Sequence, residues 1–186
     1  MSTPLGFTFI PERSVDAPAI EALLDLCFGA DRRNKRSYAY REGLESIPEL
    51  GLVALDANAR LVGAIRYWPI DVVKGRKRRA ALLLGPIAVE PGLKGRGVGR
   101  ALMRQSLALA QQAGHGLVLL VGDISYYGKF GFQSAAAHGF VMPREQPHRL
   151  QAIELSSVGF GSGGVLTKHR PPALKAPSRI RRRACG

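Results

Sequence analysis

Residues 86–99 read Pro86-Ile-Ala-Val-Glu90-Pro-Gly-Leu-Lys94-Gly-Arg-Gly97-Val-Gly99. An apolar, β-like run ends at Val89, glycines stand at the alternate positions 95, 97 and 99, and a helical pattern runs on to about Ala113. Its apolar positions include Val98, Leu102 and Leu109, and Gly114 is placed to end it. Amides without side chains can approach an anion closely, and a helix N-terminus adds partial positive charge at the same point. Lys94, Arg96 and Arg100 add full charges around it. The pattern suits a pyrophosphate. Two familiar phosphate loops fail on spacing. A P-loop needs Gly-Lys-Ser/Thr where Gly99-Arg100-Ala101 stands, and a dinucleotide fingerprint needs Gly or Ala where Leu102 stands.

Outward from this loop the chain alternates strands and helices. Upstream, 52–56 and 61–72 are β-like runs around the hairpin signal Asp56-Ala-Asn-Ala-Arg60. A further apolar strand covers 80–89, where Pro86 can donate no ladder hydrogen bond, so Gly85-Pro86 predicts a bulge. Near the start, Phe7 and Phe9 alternate in a first strand. Ser14 or Asp16 then caps a helix carrying Ile20, Leu23, Leu24, Cys27 and Phe28 at helical spacing. Residues 31–41 are polar and basic with Tyr38 and Tyr40 interleaved, a loop or short helix. Downstream, Leu117–Val121 is a continuous apolar run, as in a strand covered on both faces. A short helix over 125–130, an extended start at Gly131-Phe132 and a strand over 150–155 follow. No internal repeat is visible.

The motif Lys94-Gly-Arg-Gly97-Val-Gly99 resembles the Gln/Arg-x-x-Gly-x-Gly/Ala loop of the GNAT superfamily of N-acetyltransferases, with Lys94 at the Gln/Arg position. Gly122-Asp-Ile-Ser-Tyr126-Tyr127-Gly-Lys-Phe130-Gly131-Phe132 resembles the closing Tyr-x-x-x-Gly-Phe segment of the same family. The two segments come in the family's order. The likeness is good over residues 52–132 and looser to about Val165, where the chain is similar to a stand-alone group of bacterial predicted N-acetyltransferases. It implies an α/β (α+β) fold: a mixed, mainly antiparallel twisted sheet flanked by helices, with acetyl-coenzyme A wedged between two splayed central strands. It also divides the chain into an N-acetyltransferase domain, 1–165, and a basic tail, 166–186, which carries Pro171-Pro172 and is expected to bury no core.

The resemblance implies roles for particular residues. Ile87, Ala88 and Val89 would face the pantetheine arm and the thioester oxygen, and Lys94, Gly95, Arg96, Gly97, Val98, Gly99 and Arg100 the pyrophosphate. Tyr127, four residues before Gly131, matches the family tyrosine that protonates the departing thiolate; a phenol has a suitable handle, and a core tyrosine is the competing reading. The strand 80–89 has no acid. Glu90 and Asp123 stand near strand ends, and Asp123 is the better base, though it reads equally well as a helix cap, and a water relay would also serve. Contacts to the amine acceptor, a small molecule or peptide, are expected from Asp31 to Glu45 and from Arg66 to Asp71, with Tyr67 and Trp68. The implied reaction is direct attack by an amine on the thioester, and Cys27 on a core-facing helix argues against a thiol nucleophile.

Charge and composition bound the alternatives. The 186 residues carry a formal +13, of which seven cations lie in 168–186 and five in 72–80, with no acid in either stretch. The rest of the chain sits near neutrality. Such blocks are solvated faces or arms for anionic partners, so a nucleic-acid-binding module, or an acyl-coenzyme A sensor without transfer, is the rival reading. Cys27 and Cys185 form no disulfide framework, and no His, Asp or Glu cluster has metal-ligand spacing. With no secretory signal and no membrane-spanning run, a cytoplasmic monomer or homodimer is expected.

Overall fold

The computed structural model describes residues 6–157 and 159–170. Nine strands form one mixed sheet: β1 (Thr8–Pro11), β2 (Leu52–Leu55), β3 (Leu61–Lys74), β4 (Lys77–Val89), β5 (Leu117–Val121), β6 (Gln133–Ser134), β7 (Phe140–Val141), β8 (Leu150–Glu154) and β9 (Gly164–Lys168). The main order is β1-β2-β3-β4-β5-β8-β6. Every pairing along it is antiparallel except β4 with β5. The fourteen-residue β3 is long enough to take two partners on one edge, β2 against its first half and β9 against Ile70–Val73. Helices α1 (Ala17–Phe28), α2 (Arg36–Ala39), α3 (Val98–Gln112) and α4 (Ile124–Tyr127) complete the order. This is the expected mixed, mainly antiparallel sheet flanked by helices.

The period of two along each strand sorts side chains onto two faces. Leu52, Ile65, Tyr67, Val118 and Leu120 meet Val98, Leu102, Met103 and Leu107 of α3. Val53, Ala64 and Ala88 point the other way, onto Ile20, Leu23 and Leu24 of α1. Farther along that opposite face Ile70, Leu83, Leu117 and Leu119 pack with Phe140, Met142 and Leu166. Both faces of β5 are therefore covered, as its unbroken apolar run requires. Parity also decides the fate of Tyr67. It falls on the α3 face, is fully buried, and its hydroxyl lies 2.9 Å from Ser106 Oγ. The expectation that Tyr67 touches the acceptor is corrected: only Trp68, on the opposite face, stays near a cavity.

Local chemistry sets the connections. Asp56 Oδ1 accepts from the N–H groups of Asn58 and Arg60 and closes the β2–β3 turn. Asp16 stands at the N-cap of α1 but gives it no side-chain bond; its carboxylate takes the Arg13 guanidinium and N–H instead, which holds its pKa below the usual carboxylate range. The domain boundary expected after residue 165 falls inside β9 and is corrected. Leu166 is buried, and Asp71 accepts from Arg78, His169 and the N–H of Arg170. Val165 and Leu166 repeat the alternation of a strand on too short a run to stand out beside the basic tail. Residues 171–186, with Arg179 to Arg183 and Cys185, lie outside the described part.

A chain ended after 170 should therefore be more stable than one ended after 165 by about 2–3 kcal/mol, chiefly the burial of Leu166. Urea denaturation of the two should show the difference as a lower midpoint for the shorter chain.

Candidate active site between two splayed strands

Strands β4 and β5 pair in parallel only at Leu82–Val118 and Leu83–Leu119. Beyond Leu83 they separate. The cause is visible on the other edge of β4, where Ile65 pairs Ile87 but Tyr67 pairs Leu84, so Gly85 and Pro86 together stand against Arg66. This is the bulge expected at Gly85-Pro86. It bends β4, and Pro86 has no N–H to offer a neighbour. A cavity of about 440 Å³ fills the opening, lined by Leu84, Gly85, Pro86 and Ile87 on one side and Val121, Gly122, Asp123 and Tyr127 on the other. Ile87, Ala88 and Val89 pair with Ile65, Ala64 and Gly63, and the edge of β4 turned toward β5 carries no strand there.

The glycine loop opens at the end of the same strand. A single 3₁₀ turn, Pro91–Leu93, is followed by Gly95 at φ +84° and Gly97 at φ +83°, the latter as the N-cap of α3. These left-handed conformations suit glycine and let the chain fold back over the helix start. The first intrahelical acceptor is Gly97 O, bonded by Ala101 N. The amides of Val98, Gly99 and Arg100 precede it and stay free, as helix geometry dictates. Among the described residues Lys94, Arg96 and Arg100 form no ion pair. The set of unpaired amides and uncompensated cations fits a pyrophosphate. Tyr126 reaches the same place: its Oη lies 3.3 Å from where a Cβ on Gly99 would stand.

Tyr127 sits one residue on, but in a different environment. Its ring packs edge-on to Tyr126 and Phe132, and its hydroxyl bonds to no described residue. Burial, with Tyr126 beside it, pushes its pKa up to about 12. The two sequence readings of Tyr127 meet here, since it borders the core and lines the cavity. Gly122 makes room for it: a Cβ there would lie 2.1 Å from Tyr127 Cε2. Asp123 caps α4, accepting from Ser125 N at 2.9 Å, and that bond holds its pKa below the usual range. A carboxylate so held is a weak base. Glu90 is gripped by both terminal nitrogens of Arg60 at 2.8 and 2.7 Å.

Several cavity residues carry no motif; three fall in the 31–45 segment expected to contact the acceptor, and two are unexpected. Arg32, Tyr38 and Arg41 come from the segment after α1, and Glu145 and Arg149 from the turn before β8. Their spacing matches no template, and only the tertiary fold brings them to the cleft. Cys27 Sγ donates to Val89 O at 3.3 Å, and burial raises its pKa, as suits a packed thiol rather than a nucleophile. The cations around the β3–β4 turn are largely engaged: Arg78 with Asp71, Arg79 with Glu154 and Phe160 O, Lys74 with Ser162 O. Within this run Arg76 and Lys77 form no ion pair among the described residues. Among the described residues no His, Cys, Asp and Glu group could hold a metal, and no helix is long and apolar enough to cross a membrane.

The model of the acetyltransferase (GNAT) domain matches residues 11–135. The chain belongs to the GNAT acetyltransferase family. It is 33% identical over 127 residues to the N-acetyltransferase YhbS of Escherichia coli K12, covering 68% of this chain and 74% of that protein. It is 28% identical over 164 residues to YjhQ of the same organism, covering 88% and 90%. The crystal structure of E. coli YhbS in complex with coenzyme A superposes with a TM-score of 0.76 at 28% identity, covering 91% and 93% of the two chains. A GNAT acetyltransferase from Brucella melitensis, in complex with acetyl-coenzyme A, shares the fold at a TM-score of 0.66 and 23% identity, covering 88% and 96%.

The contact between Gly122 and Tyr127 makes a direct test of the site's packing. Gly122→Ala should cost about 1–3 kcal/mol by overpacking, and the cost should shrink when Tyr127 is already Ala. A double-mutant cycle from denaturant unfolding measures that coupling.

Proposed function

We propose that this protein transfers an acetyl group from acetyl-coenzyme A to a primary amine, by direct attack within a ternary complex in the cleft between β4 and β5. The observation that carries this reading is the conjunction of that cleft with the adjoining glycine loop, its free amides and its three uncompensated cations. When bound, acetyl-coenzyme A supplies an activated acyl group. The residues that would hold it are Lys94, Gly95, Arg96, Gly97, Val98, Gly99 and Arg100 at the pyrophosphate, and Ile87, Ala88 and Val89 along the open edge of β4.

In this proposal Tyr127 holds a proton at its hydroxyl, next to where the sulfur departs. Its raised pKa keeps that proton in place at any physiological pH, and with no hydrogen-bond partner among the described residues the hydroxyl can donate to the sulfur. Asp123 serves chiefly as the cap of α4. With Asp123 and Glu145 both on the cavity wall, water passes the amine proton outward, and no dedicated base is needed. Tyr126, over Gly99, acts on binding rather than on proton transfer.

Tyr127→Phe should lower kcat by about 10²–10⁴-fold and leave the affinity for acetyl-coenzyme A nearly unchanged. Tyr126→Phe should change that affinity more than it changes kcat. Calorimetry with acetyl-coenzyme A and thiol release with a panel of primary amines separate the two. Binding without release for any amine would favour a sensor.

The pH dependence follows from the sign of the shift. A phenol raised to about 12 keeps its proton across the working range. The kcat/KM profile should therefore climb as the acceptor amine deprotonates and show no descending limb below about pH 10. A fall near pH 8 or 9 would show a different acid at work.

A further inference from the structure

The buried arginines are not alike. Arg32, 1% exposed, bonds Glu21 and Asp25; Arg66, 8% exposed, bonds Glu12 and Glu21. Arg41 is also 8% exposed and pairs with no carboxylate among the described residues. Its Nε and Nη1 are buried without a hydrogen-bond partner among the described residues. What it has is the Tyr38 ring, 4.5 Å from the guanidinium carbon, on one face. Burial, its main perturbation, lowers its pKa to about 10, which still leaves a cation at neutral pH.

A second orphan lies nearby. Trp68 Nε1 is buried without a partner among the described residues, and Trp68 and Arg41 both line a cavity of about 620 Å³ next to the cleft. The three unmatched atoms, two on Arg41 and one on Trp68, are all donors. A buried donor without an acceptor is destabilising, and a charged one more so, so such a set persists where a ligand completes it. Its complement is a group that only accepts. A carboxylate, planar and two-oxygened, matches one edge of a guanidinium, Nη1 with Nη2 or Nε with Nη2, whose face is already taken by an aromatic ring.

Arg41 is also well placed for the reaction. Its Nη2 lies 3.3 Å from where a Cβ on Gly85 would stand, at the bulge where β4 leaves β5. It lines the reaction cavity together with Ile87, Tyr127, Asp123 and Glu145. Five cations, Arg32, Lys35, Arg36, Arg41 and Arg149, line that cavity against two acids, Asp123 and Glu145, an excess of positive charge that suits an acceptor carrying an anion as well as its amine. Resting on the acetyl-transfer reading above, we infer that the acceptor is an amine carrying a carboxylate, an amino acid or a close analogue, and that Arg41 receives the carboxylate.

Trp68 is the one tryptophan of the chain, so its emission reports this site without turnover. The full chain, with and without coenzyme A, is titrated with glycine, L-phenylalanine and L-glutamate, with glycinamide and L-phenylalaninamide, and with O-phosphoethanolamine. The emission should change saturably with a carboxylate and at least about tenfold more weakly with the matching amide. Arg41→Gln should erase that difference while coenzyme A affinity, read by calorimetry, stays the same. Arg41→Lys, which keeps the charge but not the fork, should retain a reduced preference and covers the case in which the glutamine variant does not fold. Arg41→Met should melt no lower than the parent, since it removes an unpaired buried charge; a large drop would mark a structural arginine and overturn the inference. It is equally overturned by equal response to acid and amide, by no response to any carboxylate, by a difference that survives in Arg41→Gln, or by a stronger response to O-phosphoethanolamine. Loss of coenzyme A binding in the parent chain would instead remove the acetyl-transfer reading, and the titration without coenzyme A would still decide the role of Arg41.

Discussion

Two residues set against one, Gly85 and Pro86 against Arg66, determine where this sheet can hold a ligand. A regular β4 would continue its ladder with β5 past Leu83, and the interior would close over like any parallel pair. The bulge bends β4, and the missing N–H of Pro86 removes a donor from the ladder at the same point. The cleft, the free edge beside Ile87, the cavity under Tyr127 and the approach to the glycine loop all follow from that local irregularity. Gly122 and the cap at Asp123 then hold the facing wall, one by yielding space and the other by fixing the start of α4.

The strong net charge has an equally local explanation. Within the described chain, several arginines serve as internal ties: Arg66 joins the first strand's exit to α1 through Glu12 and Glu21, Arg60 joins a hairpin to Glu90, and Arg79 joins β4 to Glu154 on β8. A guanidinium suits this work because its planar fork can hold two acceptors at once. Among the described residues Lys94, Arg96 and Arg100 at the glycine loop and Lys35, Arg36, Arg41 and Arg149 at the cleft form no ion pair, and neither do Arg76 and Lys77 at the β3–β4 turn. The net charge itself is concentrated in residues 72–80 and 168–186.

The sequence made the centre of the fold legible because the signals there are backbone signals. Glycines at 95, 97 and 99, a proline inside an apolar strand, and Tyr127 four residues before Gly131 each constrain the chain locally, so their meaning survives without a structure. Other readings depended on quantities that are not local. Tyr67 and Trp68 differ by one residue, and only which face of β3 packs against α3 decides between them; Tyr67 shares that face with Ile65. Asp123 could be read as base or cap, and the geometry of Ser125 N shows the cap. Arg41 and Glu145 lie about a hundred residues apart with no shared pattern, and their meeting in one cavity is a tertiary fact. Leu166 was hidden because a five-residue strand beside a basic run carries too little periodicity to be heard.

The length of β3 has one more consequence. Its second half, Ile70–Val73, is rich in β-branched residues, and β9 covers the edge opposite β4. Bare, that edge would offer a row of unsatisfied amides and carbonyls to any other extended chain, the usual template for intermolecular sheet growth. β9 in turn is flanked by β7, so the covering strand is itself covered over Val165. The late, short strand that contributes least to the site is thus a guard against self-association: a folded chain lacking it would keep its cleft and expose its most aggregation-prone margin.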